Sequence, residues 1–318
     1  MASLGRLLGL LGLILCGVAS FRLPPSPTPG TKKPIIGVLM QECLSKNMRN
    51  LGKYYIAASY VKYLESAGAR VVPVRLDLPN ADYEKLFKSI NGILFPGGGV
   101  SIKNSGYARV AKLFYNFAIQ SFNDGSYFPV WGTCLGFEEL SFLVSGEILL
   151  THTDTVGTTL ALNFTSAIMH SRMFRNFPGD LLLALAVEPL TANFHMWSLS
   201  LTNFTANENL KTFFNILSTN TVNNIEFIST MEAYEYPIYG VQWHPEKAPY
   251  EWERKKGISH SPNAVKTAFY LADFFVGEAR KNNHHFDSQE EEKKALIYQF
   301  RPIYTGNISS FQQSYMFD

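Results

Sequence analysis

Cys134 stands in Gly132-Thr133-Cys134-Leu135-Gly136, and His244 in Gln242-Trp243-His244-Pro245-Glu246. A thiolate attacks carbonyl carbon and an imidazole moves the protons that follow, so this pair of residue types points to acyl transfer. The Gly-x-Cys-x-Gly spacing fits a nucleophile elbow, where a strand ends in a sharp turn and a helix begins after the nucleophile. Glycines on either side let the backbone turn without steric clash. The helix N-terminus favours negative charge on the sulfur. A buried inert cysteine is the commoner fate of a free thiol, and only a strand–turn–helix context separates the two readings. Of the seven histidines, His284 and His285 lie in a polar stretch, and His152, His170 and His260 have no motif around them. His244 follows the apolar run Tyr239–Trp243, and a histidine leaving the sheet there faces the same edge as the elbow. Against that stands an ordinary loop histidine. Glu246, two residues on, can orient the imidazole as a triad requires.

A third component is the loop Pro96-Gly97-Gly98-Gly99. Backbone N–H groups near Gly98, together with that of Leu135, can hold the oxyanion that forms when a carbonyl is attacked. Glycine-rich loops also cradle phosphates. Here no Lys-Ser/Thr follows, no G-x-G-x-x-G opens a helix, and no paired C-x-x-C or H-E-x-x-H is present, so no cofactor and no metal are expected.

These residues need a scaffold that brings strand ends together. Pro34–Met40, Val71–Val74, Ile93–Phe95 and Phe128–Trp131 read as short buried strands. Between them, 55–67 carries Ile56, Tyr60, Val61 and Leu64 at helical spacing, closed by Gly68. A helix capped by Asn80 carries Tyr83, Leu86 and Ile90, and 108–122 is a third. A helix runs from just after Cys134 to about Val144. Strands alternating with helices predict an α/β fold, a mostly parallel central sheet with helices on both faces. Ile225–Met231 and Ile238–Trp243 read as later strands. Ser261 and Pro262 open a helix with Val265, Ala268, Phe269, Ala272, Val276 and Ala279 on one face. The charge run 289–294 reads as a solvated turn, and 151–224 is hard to read.

The chain has 318 residues, 46% hydrophobic and 17% charged, which describes an ordinary globular protein. Its net charge of +2 supplies no footprint for nucleic acid. Arg6, the apolar run Leu7–Ala19 and the small residues closing it read as a secretory signal, too short to span a bilayer. The expectation is a signal peptide at 1–24, a single domain at 25–318, and no membrane attachment once the leader is removed. Sequons at Asn163, Asn203 and Asn307 fit that route. Cys16 leaves with the leader. Cys43 and Cys134 remain, and an oxidising compartment invites a disulfide between them, which would abolish the nucleophile.

Taken together, Pro96-Gly97-Gly98, Gly132–Gly136 and Gln242–Glu246 resemble the class I glutamine amidotransferase superfamily, a flavodoxin-like three-layer sandwich. Within it the chain resembles the gamma-glutamyl hydrolase (folylpolyglutamate hydrolase) family. The likeness runs through Lys33–Gly37, Tyr54–Lys62, Pro129–Glu139 and Tyr239–Tyr250. It implies a cysteine peptidase that cleaves γ-linked glutamates from folate and antifolate poly-γ-glutamates, lysosomal or secreted, as a homodimer. It also implies Cys134 as nucleophile, His244 as proton donor, Glu246 in the triad position, and Tyr60, Glu138, His195 and Gln242 lining the substrate pocket. One departure is visible: Asn116-Phe117-Ala118 lacks the hydroxyl residue of a sequon that relatives are expected to carry there.

Two alternatives stand beside this reading. One is a glutaminase subunit passing ammonia to a synthetase; the other is a secreted binding protein with a disulfide-blocked site. At about pH 5 a thiol of ordinary pKa is only about 0.03% thiolate. The hydrolase reading therefore predicts a strongly depressed Cys134 pKa, maintained by protonated His244 and the helix N-terminus.

Overall fold

The computed structural model describes residues 30–252 and 257–318, so the expected leader at 1–24 lies outside the described residues. The strands of the central sheet are β1 (Ile35–Leu39), β2 (Arg70–Val74), β3 (Gly92–Phe95), β4 (Val130–Thr133), β5 (Asn163–Phe164), β6 (Phe214–Val222), β7 (Ile225–Ala233) and β8 (Ile238–Val241). Their order is β2-β1-β3-β4-β8-β7-β6-β5. From β2 through β8 neighbouring strands are parallel, and from β8 to β5 they are antiparallel. The parallel strands are buried at nearly every position, as expected where helices cover both faces.

Five helices form the outer layers: α1 (Ala58–Ser66), α2 (Asn80–Phe87), α3 (Gly106–Asn123), α4 (Leu135–Ser145) and α5 (Pro262–Ala279). Helices α1 and α5 pack together on one face, and α2, α3 and α4 on the other. Phe95, Tyr107 and Phe114, all fully buried, join the sheet to the second layer, while the buried Trp131 packs against Phe275 of α5 in the first. Among the described residues no helix is long and apolar enough to cross a membrane.

Several element readings change in the structure. Tyr54–Ala57 is a strand, and the helix read over 55–67 begins only at Ala58. That segment pairs with Gln313–Phe317 on one side and Gln41–Glu42 on the other, a long-range pairing that local spacing does not carry. Pro79, not Asn80, occupies the cap of α2, without a side-chain cap bond. The buried face of α5 centres on Ala264, Leu271 and Phe275, leaving Val265 and Phe269 exposed. The charge run is a helix, Gln289–Ala295: Ser288 accepts from the Glu291 N–H, and Glu290–Glu292 meet the positive end of its dipole.

Candidate active site

The site forms where β3, β4 and β8 end side by side. Cys134 follows β4 directly, and its N–H donates to the Val241 carbonyl of β8 at 2.9 Å. Its φ of +53° and ψ of −107° lie in a region that residues with a side chain seldom adopt. The two glycines of the motif are there because nothing larger fits. A methyl on Gly132 would meet the Gly136 carbonyl oxygen at 2.5 Å, and one on Gly136 would run into the Phe95 backbone. Helix α4 begins at Leu135, whose N–H lies against the Cys134 sulfur.

His244 leaves β8 three residues past its end, with its own N–H bound to Ala192 O at 2.8 Å. Its Nδ1 lies 2.7 Å from Glu246 Oε1, and both side chains are buried. Nδ1–H donates to the carboxylate, and Nε2 is left as the acceptor. The Phe194 ring meets the imidazole nearly at right angles, at 6.2 Å. The imidazole and the nucleophile converge on one point of the glycine loop. A methyl on Gly97 would stand 2.7 Å from His244 Cε1, 3.2 Å from Cys134 Cβ and 2.9 Å from the Tyr60 hydroxyl.

Burial dominates the electrostatics. It pushes the Cys134 thiol well up, helped by the nearby Glu138 and Glu246 carboxyls and opposed by the Leu135 N–H and Lys247. Burial also pulls the His244 imidazole down, with Glu246 opposing. It works against the Glu246 carboxylate too, but His244 and Lys247 outweigh it and hold that carboxyl below its usual range. At neutral pH the thiol, raised, and the imidazole, lowered, are therefore both uncharged. The depressed thiol pKa expected from the sequence is not found, because a fully enclosed sulfur loses more hydration than one helix N-terminus returns.

The remaining sequence-predicted residues fall around this centre. Tyr60 is buried, with its hydroxyl accepting from the Gly97 N–H at 2.8 Å and lying 3.4 Å from His244 Nδ1. Glu138 follows Cys134 by one turn of α4 and accepts from Gln242 Nε2 at 3.1 Å; burial raises its carboxyl to about 8. His195 is enclosed, Nε2 facing Asn193 Oδ1 at 3.1 Å and Nδ1 facing the Ser198 hydroxyl at 3.0 Å. Burial holds its pKa near 3, so it is neutral. Gly98 is exposed at the loop, and its N–H has no protein partner among the described residues. Cys43 and Cys134 are both free and buried, so the disulfide of the blocked-site alternative is absent. Of the sequons, Asn163 and Asn307 are exposed, whereas Asn203 is half-buried and its Nδ2 donates to Leu149 O and Thr151 Oγ1.

Sequence reading missed Tyr107, which donates to the Pro96 carbonyl at 2.9 Å. It also missed Phe194 and the buried Lys247, whose ammonium lies 5.0 Å from the Phe194 ring centre. Tyr107 opens α3 and Phe194 adjoins His195, but neither stands in a motif of its own, and the signal for them is spatial. Lys247 adjoins Glu246, but an isolated lysine after a motif reads as solvated.

Residues 34–246 match the Peptidase C26 family profile. The chain is 74% identical to gamma-glutamyl hydrolase of Bos taurus and 73% identical to that of Homo sapiens, covering all of both chains in each case. Among solved structures it is similar in fold to the Trypanosoma brucei CTPS glutaminase domain with bound acivicin. There the TM-score is 0.52 at 15% identity, over 81% of this chain and 98% of that one. With the Cys134 elbow and the His244–Glu246 pair at adjoining strand ends, the chain belongs to the peptidase C26 family, among the gamma-glutamyl hydrolases.

Proposed function

We propose that this chain hydrolyses γ-glutamyl bonds of folate and antifolate poly-γ-glutamates through a thioester on Cys134. The observation that carries the reading is the convergence of Cys134, His244 and the Gly97–Gly98 loop at one strand edge, in a chain 73–74% identical to gamma-glutamyl hydrolases.

The residues divide the work as follows. As Cys134 Sγ attacks the γ-carbonyl carbon, His244 Nε2 takes the thiol proton, and Glu246 stabilises the imidazolium that forms. The C–O double bond opens to an oxyanion that accepts from the N–H groups of Gly98 and Leu135. His244 returns the proton to the departing amine, the C–N bond breaks, and a γ-glutamyl thioester remains. Water, deprotonated by His244, attacks that thioester and frees the γ-carboxylate and the thiol. Glu138, Gln242, Tyr60 and His195 border the site, and Glu138 in its neutral form adds no repulsion toward an anionic substrate.

Burial lowers the His244 imidazole below its usual range, which extends its action as a base to lower pH. With the leader-like start and the exposed sequons Asn163 and Asn307, this favours a secreted and lysosomal glycoprotein. The family likeness supports a homodimer, tested by sedimentation of the mature chain.

A glutaminase subunit would share this geometry, so the substrate decides. The mature chain is offered pteroyl-γ-glutamate oligomers and, separately, free glutamine. Glutamate or shortened oligomers from the first, with no ammonia from the second, is the expected result; ammonia from glutamine alone would reverse the assignment.

A further inference from the structure

We propose that Gln41 is a positioning residue for the oxyanion donor Gly98, a role that rests on the acyl-transfer reading above. Gln41 lies just past the end of β1, on the same sheet edge as Cys134 and His244, and outside their motifs. Its side chain is buried, at 2% exposure. Nε2 donates to the Pro96 carbonyl at 3.4 Å, while Oε1 has no partner among the described residues. The amide lies flat against Gly98: a methyl built on that glycine would run into Cδ, Nε2 and Oε1 together.

A run of three glycines is the most pliable backbone a chain can make, whereas an oxyanion donor works only if it is fixed before the charge appears. The loop must therefore be held from outside, and three side chains hold it. Tyr107 and Gln41 share the Pro96 carbonyl, and Tyr60 takes the Gly97 N–H. That last bond has a consequence for the chemistry. With its N–H already committed, Gly97 is not the donor; Gly98 is the next in line, and its Cα is the atom Gln41 packs against. An unpaired buried carbonyl disfavours folding, and such local conflicts are tolerated where function needs them. Gly98 has no positive φ, so its missing side chain answers to Gln41 and not to backbone conformation.

The test is a mutant cycle of Gln41→Ala, Gly98→Ala and the double variant, in the mature chain. It reads kcat and KM on a pteroyl-γ-glutamate and the inhibition constant of a γ-glutamyl aldehyde, which forms a tetrahedral adduct with a thiol. Gln41→Ala is expected to lower kcat about 10- to 100-fold, with KM within about threefold and the aldehyde weakened in step with kcat. Gly98→Ala alone should lose a similar factor. The double variant should be no worse than the poorer single one, because the new methyl enters the space the amide leaves. Additive losses, a change in KM alone, or unaltered aldehyde affinity would overturn the proposal. Gln41→Met keeps the packing but loses the Nε2 bond, and carries the test if the alanine variant does not fold; wild-type kcat and aldehyde affinity there would also overturn it. A wild type that leaves every γ-glutamyl substrate uncut marks failure of the hydrolase reading instead.

Discussion

His244 Nδ1 and Glu246 Oε1 lie 2.7 Å apart with both side chains buried, and this contact fixes which nitrogen serves the thiol. A carboxylate on Nδ1 selects the tautomer with Nε2 free and stabilises the imidazolium as it forms. Glu246→Gln keeps the shape and removes the charge. We expect kcat to fall about 10²- to 10⁴-fold with little change in KM, by comparison with amide replacement in other triads. Steady-state kinetics check this, and an unchanged kcat would show that Glu246 only supports the loop.

The directions of the Cys134 and His244 shifts separate two reactivities. The thiol is raised, so thiolate in the free enzyme is lost as pH falls and appears only in alkali. The imidazole is lowered, so it stays a base below its ordinary 6.5. Iodoacetamide inactivation of the free enzyme should therefore be slow at about pH 5 and rise toward alkaline pH. Hydrolysis should persist at about pH 5, because attack and proton transfer to His244 occur together. Rapid alkylation that is level from about pH 5 to 7 would indicate a preformed ion pair.

Glu138 titrates near 8, raised by burial against the opposing bond from Gln242. Below that it is neutral; as pH rises through about 8 it gains charge beside Cys134, which disfavours thiolate and repels an anionic substrate. The account predicts that kcat/KM falls above about pH 8 and that Glu138→Gln removes this fall. A pH profile of both enzymes decides it, and an identical alkaline limb in the variant would exclude Glu138 as its origin.

Glu139 is fully buried with neither carboxyl oxygen partnered among the described residues, and burial raises it to about 8 from 4.5. The folded state then holds a proton that the unfolded chain releases between those values. Its contribution to stability is therefore lost as pH rises from about 4.5 to about 8. Each unit corresponds to about 1.4 kcal/mol, so the total is a few kcal/mol at most. Denaturant melts at about pH 5 and 8 should show that Glu139→Gln loses less stability across this range than the wild type; equal slopes would place the titration elsewhere.

Legibility followed the range of the interactions. The elbow could be read because Gly132 and Gly136 answer to contacts within a few residues and to one neighbouring strand. His244 and Glu246 could be read because motif and strand end coincide. The parallel sheet is visible in its alternating pattern, but 55–57 reads as helix from local spacing because the partner of that strand, Gln313–Phe317, lies at the other end of the chain. Tyr60 was found by resemblance, yet its bond to the Gly97 N–H is a tertiary fact that no spacing encodes. The thiol pKa runs opposite to the sequence expectation for a similar reason: the sequence displays the helix behind Cys134 and hides how deeply the sulfur is buried.

The central claim is that Cys134 opens γ-linked glutamyl amides. Single-turnover product analysis with a pteroyl oligoglutamate in γ-linked and α-linked forms, comparing wild type with Cys134→Ala at about pH 5, tests it most directly. The account predicts cleavage of the γ-linked form only, and a loss on the order of 10⁴-fold or more in the variant. Cleavage of the γ-linked substrate at a comparable rate by Cys134→Ala would contradict it.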